Sequence, residues 1–400
     1  MNIFECNIGL EKESLRIDKN GRLAQTDHPF LGNPNIDRDF CENQVEIITN
    51  PAGGPHNAYL EIKKMHQYVI QALKKQNEYL WLFSNPPFFE SDDEIPVAHF
   101  TGSLSYKEKY RRYLATKYGK RKMLYSGIHY NFSFGESLLK DMFEISGETD
   151  YTTHKNALYL RIAKWFVHYS WLIVFLMAAS PMFDESFFMD EEKEHINRYA
   201  SARCSEIGYN NPFIPLIDYS SLETYIKSIE GYVNRKEIIV ESELYYPVRL
   251  KSAGANSLVT LAETGVNHIE LRMLDLNPLS EAGIFEEDIA FIHLLFIYFS
   301  NQQDFEFTDE MQIDAIKKMY RAALYDNNEF ANEAVAVIKD IRNYFKGSLP
   351  NYYENALNYQ SKKITKPDNR YAVKIRKQFD NSFSQRAFEL SKQASKSVQG

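Results

Sequence analysis

The stretch Gly9–Arg16, GLEKESLR, constrains this chain more than any other. Read as a β-strand, its period of two puts Glu11 and Glu13 on one face, and Leu15 and Ile17 continue that face. Two carboxylates running into apolar residues on one side of a strand pose a conflict. One unpaired carboxylate is costly to bury, and two side by side are worse. A divalent cation resolves it, because Mg²⁺ and Mn²⁺ take carboxylate oxygens. The alternative is an edge strand with both glutamates in water, the commoner place for Glu.

Similar patterns recur along the chain. Phe40–Thr49 alternates, with Glu42, Gln44 and Glu46 on one face, Val45 and Ile47 on the other, and Asp39 just before. Asn50-Pro51 and Gly53-Gly54-Pro55 close it as a turn, and a helix is predicted over Ala58–Leu82. Tyr106–Tyr118 reads as a helix carrying Tyr110, Arg111, Arg112 and Tyr113. Tyr125–Phe134 reads as a strand with His129, Asn131 and Ser133 on one face and Ile128, Tyr130, Phe132 and Phe134 on the other. A lone strand His is more often a hydrogen-bonded core or surface residue than a ligand; the polar row beside it favours a site-lining face. Ser201–Asn211 is a polar loop with Arg203 and Tyr209, and Tyr245–Leu250, interrupted by Pro247, an edge or irregular strand. His268–Leu274 is strand-like, with His268, Glu270 and Arg272 on one face; such an acid–arginine pair is also a common surface feature. Further helices are expected over Ser137–Ile145, Thr153–Ala179, Leu222–Tyr232, Glu286–Phe299, Asp309–Tyr325, Asn328–Phe345 and Asp380–Gln393.

Four hundred residues suffice for one large domain or two intimate ones, and no repeat or linker marks a boundary. The net charge of −8 argues against nucleic acid as a partner. From Lys362 onward, however, ten Lys/Arg face three Asp/Glu, a basic tail expected to be a solvated helix or to dock on the acidic body. Three scattered cysteines without a CxxC, and no signal peptide at the N-terminus, suit a reducing cytoplasm. The most apolar run, Trp171–Ala179, is too short to span a membrane and reads as a buried helix. Walker A, GxGxxG, GxSxG and HExxH patterns are all absent.

If the strands bearing Glu11/Glu13, Asp39/Glu46, His129 and Glu270 share one sheet and face one way, they form five acids and a histidine that repel one another without metal. With Mg²⁺ they become a phosphate site, and Arg272 beside Glu270 can reach a transferring phosphoryl group.

GLEKESLR, DFCENQVEIITNP, SGIHYNFSF, RCSEIGY, LYYPVRL and HIELRMLDLNP, in this order over roughly residues 8–300, resemble the glutamate–cysteine ligase family. The similarity is to the bacterial type and to the N-terminal half of bifunctional glutathione synthetases. The resemblance implies an α+β, glutamine-synthetase-like fold: a curved, mainly antiparallel sheet forming a funnel surrounded by helices. It implies one catalytic domain over residues 1–400, divergent and helical from 330 onward. The activity it implies is ligation of L-glutamate, through γ-glutamyl phosphate, to L-cysteine at the expense of ATP. By motif match, Glu11, Glu13, Asp39, Glu46, His129 and Glu270 would hold Mg²⁺ or Mn²⁺. Arg272 would contact the phosphoryl group, Arg203 the α-carboxylate of glutamate, and Tyr110, Tyr209 and Tyr245 the cysteine; Asn131 is grouped with the substrate-binding residues. Met123 stands where the resemblance leads one to expect a glutamine, and a thioether cannot replace an amide's donors and acceptor. No ATP-grasp module follows in this sequence, so glycine addition is not expected of it. Neither nucleic acid nor membrane is expected as a partner, and the oligomeric state is open.

Overall fold

In the computed structural model, which describes residues 2–254, 257–379 and 382–398, the N-terminal alternation runs longer than eight residues: β1 spans Cys6–Ile17. The other strands are β2 (Ile36–Arg38), β3 (Gln44–Ile48), β4 (Ala52–Gly53), β5 (Tyr79–Leu80), β6 (Gly127–Phe134), β7 (Val248–Lys251) and β8 (His268–Asp275). They form one sheet in the order β2-β3-β1-β6-β8-β7, with β4 and β5 also paired to β1. Each pairing is antiparallel, as expected.

Among the described residues the α-helices are α1 (Pro55–Lys74), α2 (Ser105–Tyr118), α3 (Glu136–Ser146), α4 (Tyr151–His168), α5 (Ser170–Met177), α6 (Leu222–Asn234) and α7 (Leu258–Thr264). They continue with α8 (Glu286–Ser300), α9 (Asp309–Ala322), α10 (Ala331–Phe345), α11 (Asn351–Thr365), α12 (Tyr371–Phe379) and α13 (Phe383–Ser397).

One face of the sheet is apolar and takes the helices. Ile8, Leu10, Ile128, Tyr130, Phe132, Ile269 and Leu271 all lie within the larger hydrophobic core. Phe132 stacks on Phe296 of α8 at 3.9 Å between ring centres, and Phe166 of α4 meets the same ring at 4.2 Å. A second core begins at Leu15 and Ile17, at the end of β1; Trp81, Phe83, Phe379 and Phe383 also belong to it.

Several boundaries differ from expectation. The helix predicted over Ala58–Leu82 stops at Lys74, Asn77 takes a left-handed φ of 57°, and the chain returns as β5 to pair with Arg16 and Ile17. Phe40–Thr49 is a strand only from Gln44; the Cys41–Gln44 turn before it is closed by a hydrogen bond from Gln44 N to Cys41 O. Glu42 therefore does not share a face with Glu46. Its carboxylate accepts from the backbone N–H of His28 (2.9 Å) and His99 (2.8 Å) and from Arg38.

The helix expected over Thr153–Ala179 breaks at Tyr169 into α4 and α5, bent by 53°. No single helix among the described residues is long and apolar enough to cross a membrane. The Asn328–Phe345 helix opens with a 3₁₀ turn. Asp380, where the last helix was expected to begin, lies outside the described residues; α13 begins at Phe383. The basic tail docks: Lys363 is buried and its Nζ lies 2.9 Å from Asp288.

Candidate active site

The pleat decides which side chains share the polar face. Glu13 lies opposite Glu46, Glu11 opposite His129, Asn131 opposite Glu270, and Glu270 opposite Arg249. Lys251 follows two residues after Arg249 on the same face. Near His129, β8 carries an extra residue relative to β6, so the register shifts between Ile128 and Tyr130. The polar face thus runs from acidic on β3 and β1 to basic on β8 and β7.

These groups line one cavity of about 230 Å³. Of the residues expected in the site, Glu11, Glu13, Asp39, Glu46, His129, Glu270, Arg272, Arg203, Tyr110, Tyr209 and Tyr245 all reach its wall, as does Met123. Asn131 stands behind the wall, donating from Nδ2 to Glu11 Oε1 at 2.9 Å. Asp39 is not on a strand but in the connection just after β2.

At the acidic end, the His129 ring sits among three glutamates. Its Nδ1 is 3.0 Å from Glu11 Oε2 and 3.7 Å from Glu270 Oε1, and Nε2 is 3.6 Å from Glu13 Oε1. Glu13 Oε2 accepts from Gly127 N at 3.0 Å. Burial, then the facing charges of Asp39, Glu11 and Glu13, push the Glu46 carboxyl well above the usual carboxylate range. Burial and Asp39 also raise Glu13. Glu270 goes the other way: burial opposes its ionisation, but Arg272, Lys251 and His129 together hold it well below its ordinary value.

A cluster in which Asp39, Glu11 and Glu13 all face the buried Glu46 fits a bound cation. Glu11, His129 and Glu270 offer ligand atoms all within 4.8 Å of one another, and the buried Asn131 Oδ1 beside them has no partner. Oxygen donors with a single imidazole suit Mg²⁺ or Mn²⁺.

At the basic end, Arg272 Nη1 lies 3.1 Å from Glu270 Oε2, and Lys251 Nζ 3.4 Å from Glu270 Oε1. Arg203 is braced: Nη1 donates to the carbonyls of Arg272 (2.5 Å) and Leu274 (3.2 Å), while Nη2 lies 3.3 Å from His129 Nε2. Its guanidinium packs against Gly127, where a Cβ would fall 2.3 Å from Cζ, so a larger residue there would displace Arg203. Asp275 anchors the loop that carries Arg203, accepting from Ala179 N, Ser180 Oγ and Ser201 Oγ at 2.8–3.0 Å.

Tyrosines close one wall. Tyr209 donates to the Tyr245 hydroxyl at 3.1 Å with ring centres 4.1 Å apart, and Tyr110 on α2 accepts from Ser242 at 3.3 Å.

Sequence reasoning missed Lys251 and Arg249. The signal was present in LYYPVRLK, because alternation places both on one face; the expected strand ended one residue short, at Leu250. Arg111, which donates to the Asp39 and Arg38 carbonyls, also went unassigned.

A family model described as glutamate-cysteine ligase matches residues 1–238 and 231–322. The chain is 35% identical over 408 residues to the glutathione biosynthesis bifunctional protein GshAB of Listeria welshimeri, covering 94% of this chain and 52% of that protein. It is 36% identical to the protein of the same name from Clostridium perfringens, covering 84% and 46%. The chain thus spans about half the length of the curated relatives it matches. Among solved structures, a bifunctional glutathione synthetase from Pasteurella multocida superposes with a TM-score of 0.88 at 28% identity, over 99% of this chain and 53% of that one. A glutamate–cysteine ligase from Francisella tularensis, solved with AMP, shares the fold at a TM-score of 0.88 and 21% identity, over 99% and 89% of the two chains. With its antiparallel sheet, its glutamine-synthetase-like fold and these sequence matches, the chain belongs to the glutamate–cysteine ligase family.

Proposed function

We propose that this chain joins the γ-carboxylate of L-glutamate to the amine of L-cysteine, splitting ATP to ADP and phosphate, as the first step of glutathione biosynthesis. The observation that carries this reading is the polarity of the cavity: a metal-fitting acid cluster that includes Glu270 at one end, and Arg272 with Lys251 at the other. Residues 1–400 would act as one catalytic unit in the cytoplasm.

The chemistry needs that polarity. A free carboxylate is a poor acyl donor, so the γ-carboxylate must first take the terminal phosphoryl group of ATP. Two anions then approach each other. Mg²⁺ held by Glu11, Glu13, Asp39, Glu46, His129 and Glu270 would screen that repulsion. Arg272, whose side chain is only 16% exposed, would donate to the phosphoryl oxygens from a largely buried position. Arg203 meets the α-carboxylate with the donors its backbone bonds leave over; its brace on β8 sets the distance between the substrate and Arg272. Asn131 orients Glu11 through Nδ2 and leaves Oδ1 for a ligand. Tyr110, Tyr209 and Tyr245 hold the cysteine so that its amine meets the acyl phosphate in register.

The test is ADP release from the purified chain with ATP, Mg²⁺ and L-glutamate, with and without L-cysteine, the product being weighed by mass spectrometry. Cysteine-dependent release with γ-glutamylcysteine formed is the expected result. Release stimulated only by another amine would move the acceptor, and Met123 in the cavity wall would be the first residue to examine. No release with any amino-acid pair would overturn the reading.

A further inference from the structure

We propose that Lys251 is a second phosphate-binding cation of this site, acting beside Arg272 on the polyphosphate chain of ATP; the proposal rests on the ligase reading above. Two cations share one carboxylate in the cavity. Lys251 Nζ addresses Oε1 of Glu270 at 3.4 Å, and Arg272 Nη1 addresses Oε2 at 3.1 Å. Glu270 is 1% exposed, and the side chains of Lys251 and Arg272 only 13% and 16%.

The neighbouring cations are already committed to the backbone. Arg249 donates to the carbonyls of Ser242 (2.8 Å) and Leu244 (3.1 Å). Arg203 is held by Arg272 O and Leu274 O with its remaining donors turned to the glutamate side of the cavity, and Arg111 bonds Asp39 O and Arg38 O. The contacts of Lys251 and of the Arg272 guanidinium run to Glu270 instead.

Glu270 is also the group that meets Glu11 and His129 where a divalent cation fits. One carboxylate cannot satisfy a divalent cation and two monovalent ones at full strength. Once Glu270 turns to a metal, Lys251 and Arg272 are left largely buried and short of an anion, a costly arrangement unless the ligand supplies one. A polyphosphate does so. An ammonium on a flexible stem suits phosphate oxygens as a point charge, while the flat guanidinium of Arg272 binds in a fixed plane.

The test is calorimetric titration of the intact chain, with Mg²⁺ present, by AMP, ADP and a non-hydrolysable ATP analogue. Lys251→Met is expected to weaken the ATP analogue and ADP by about 10–100-fold, the worth of a hydrogen bond to a charged group, and AMP far less. Lys251→Arg is expected to restore most of the loss. In the absence of nucleotide, Mn²⁺ should bind Lys251→Met more tightly than the wild type, because a competitor for Glu270 is gone. Lys251→Gln, which can still hydrogen-bond Glu270, serves the same comparison if the Met variant does not fold. Equal weakening of all three nucleotides, or unchanged affinities in a wild type that prefers ATP to AMP, would make Lys251 a mere counter-ion of Glu270 and overturn the proposal. A wild type that shows no preference for ATP over AMP would remove the ligase reading itself, and this proposal with it.

Discussion

Lys12 sits between Glu11 and Glu13 but points through the sheet to its apolar side. It is 1% exposed, and its Nζ donates to His66 Nδ1 at 2.6 Å. Burial lowers its pKa from 10.5 to about 7. Between those two values the unfolded chain binds a proton there that the folded chain does not, so stability falls as pH drops through that window. Below pH 7 this group adds no further slope. In Lys12→Met the stability difference from wild type should therefore grow as pH falls from about 10 to 7 and stay constant below, as read by urea unfolding across pH. A pH-independent difference would show that Lys12 stays charged in the fold. On the opposite side of the strand, Glu13→Gln and Glu270→Gln should each lower ATP turnover by more than about a hundredfold, since even the outer partners of a bound metal are worth 10–100-fold. Circular dichroism should stay native; near-normal turnover in both variants would remove them from the metal site. Period two made Glu11, Glu13, His129 and Glu270 legible, because each lies on a strand long enough to alternate. Glu42 was misread because it lies in the turn before β3, where alternation means nothing. The roles given to these side chains came from motif resemblance, not from spacing.

At the scale of elements, α2 is fastened by polar contacts as well as by the second core, on which Leu114, Tyr110, Tyr113, Ala115 and Tyr118 pack. Leu114 is its only buried residue. Its far end is held by Glu243, fully buried, which accepts from Lys117 Nζ, Tyr118 OH (2.8 Å), Tyr113 OH (3.3 Å) and Ile239 N (2.7 Å). Its other contacts include the Phe100 ring, with Arg38 and Arg111 stacked on it at 4.2 and 4.7 Å. Glu243→Ala should speed amide hydrogen exchange in residues 105–118 while leaving β1 and β6 protected, and should raise the KM for the amine substrate through Tyr110 and Tyr245. Uniform acceleration across the chain would mean that Glu243 supports the fold as a whole. Tyr209→Ala should likewise act mainly on the amine KM; a change confined to the glutamate KM would reverse the assignment of that wall. Helix α2 was legible from its pattern, but the Glu243 hub was not, because it joins residues more than a hundred positions apart. The break between α4 and α5 escaped because nothing at Tyr169 stops a helix by composition.

On the scale of the whole molecule, the basic tail is part of the body. Asp288 on α8 accepts from Lys363 Nζ and Gln360 Nε2 at 2.9 Å and from Tyr371 OH at 2.6 Å, all of them buried. Asp288→Ala leaves an ammonium buried without its partner and should destabilise the protein by about 3–5 kcal/mol in equilibrium unfolding. A loss below about 1 kcal/mol would mean that Lys363 escapes to water. The charge run announced this tail, yet its docking depends on one aspartate some seventy residues upstream, which no local pattern reveals. The central position of β1 has a consequence in time. Along the sequence this strand precedes its long neighbour β6 by more than a hundred residues. Until Gly127–Phe134 has been synthesised, β1 can pair only with the short β3, β4 and β5, and its two glutamates have no histidine between them. A nascent chain of this kind must wait with its principal strand half-partnered, so its folding is late and leans on whatever shields that edge during synthesis.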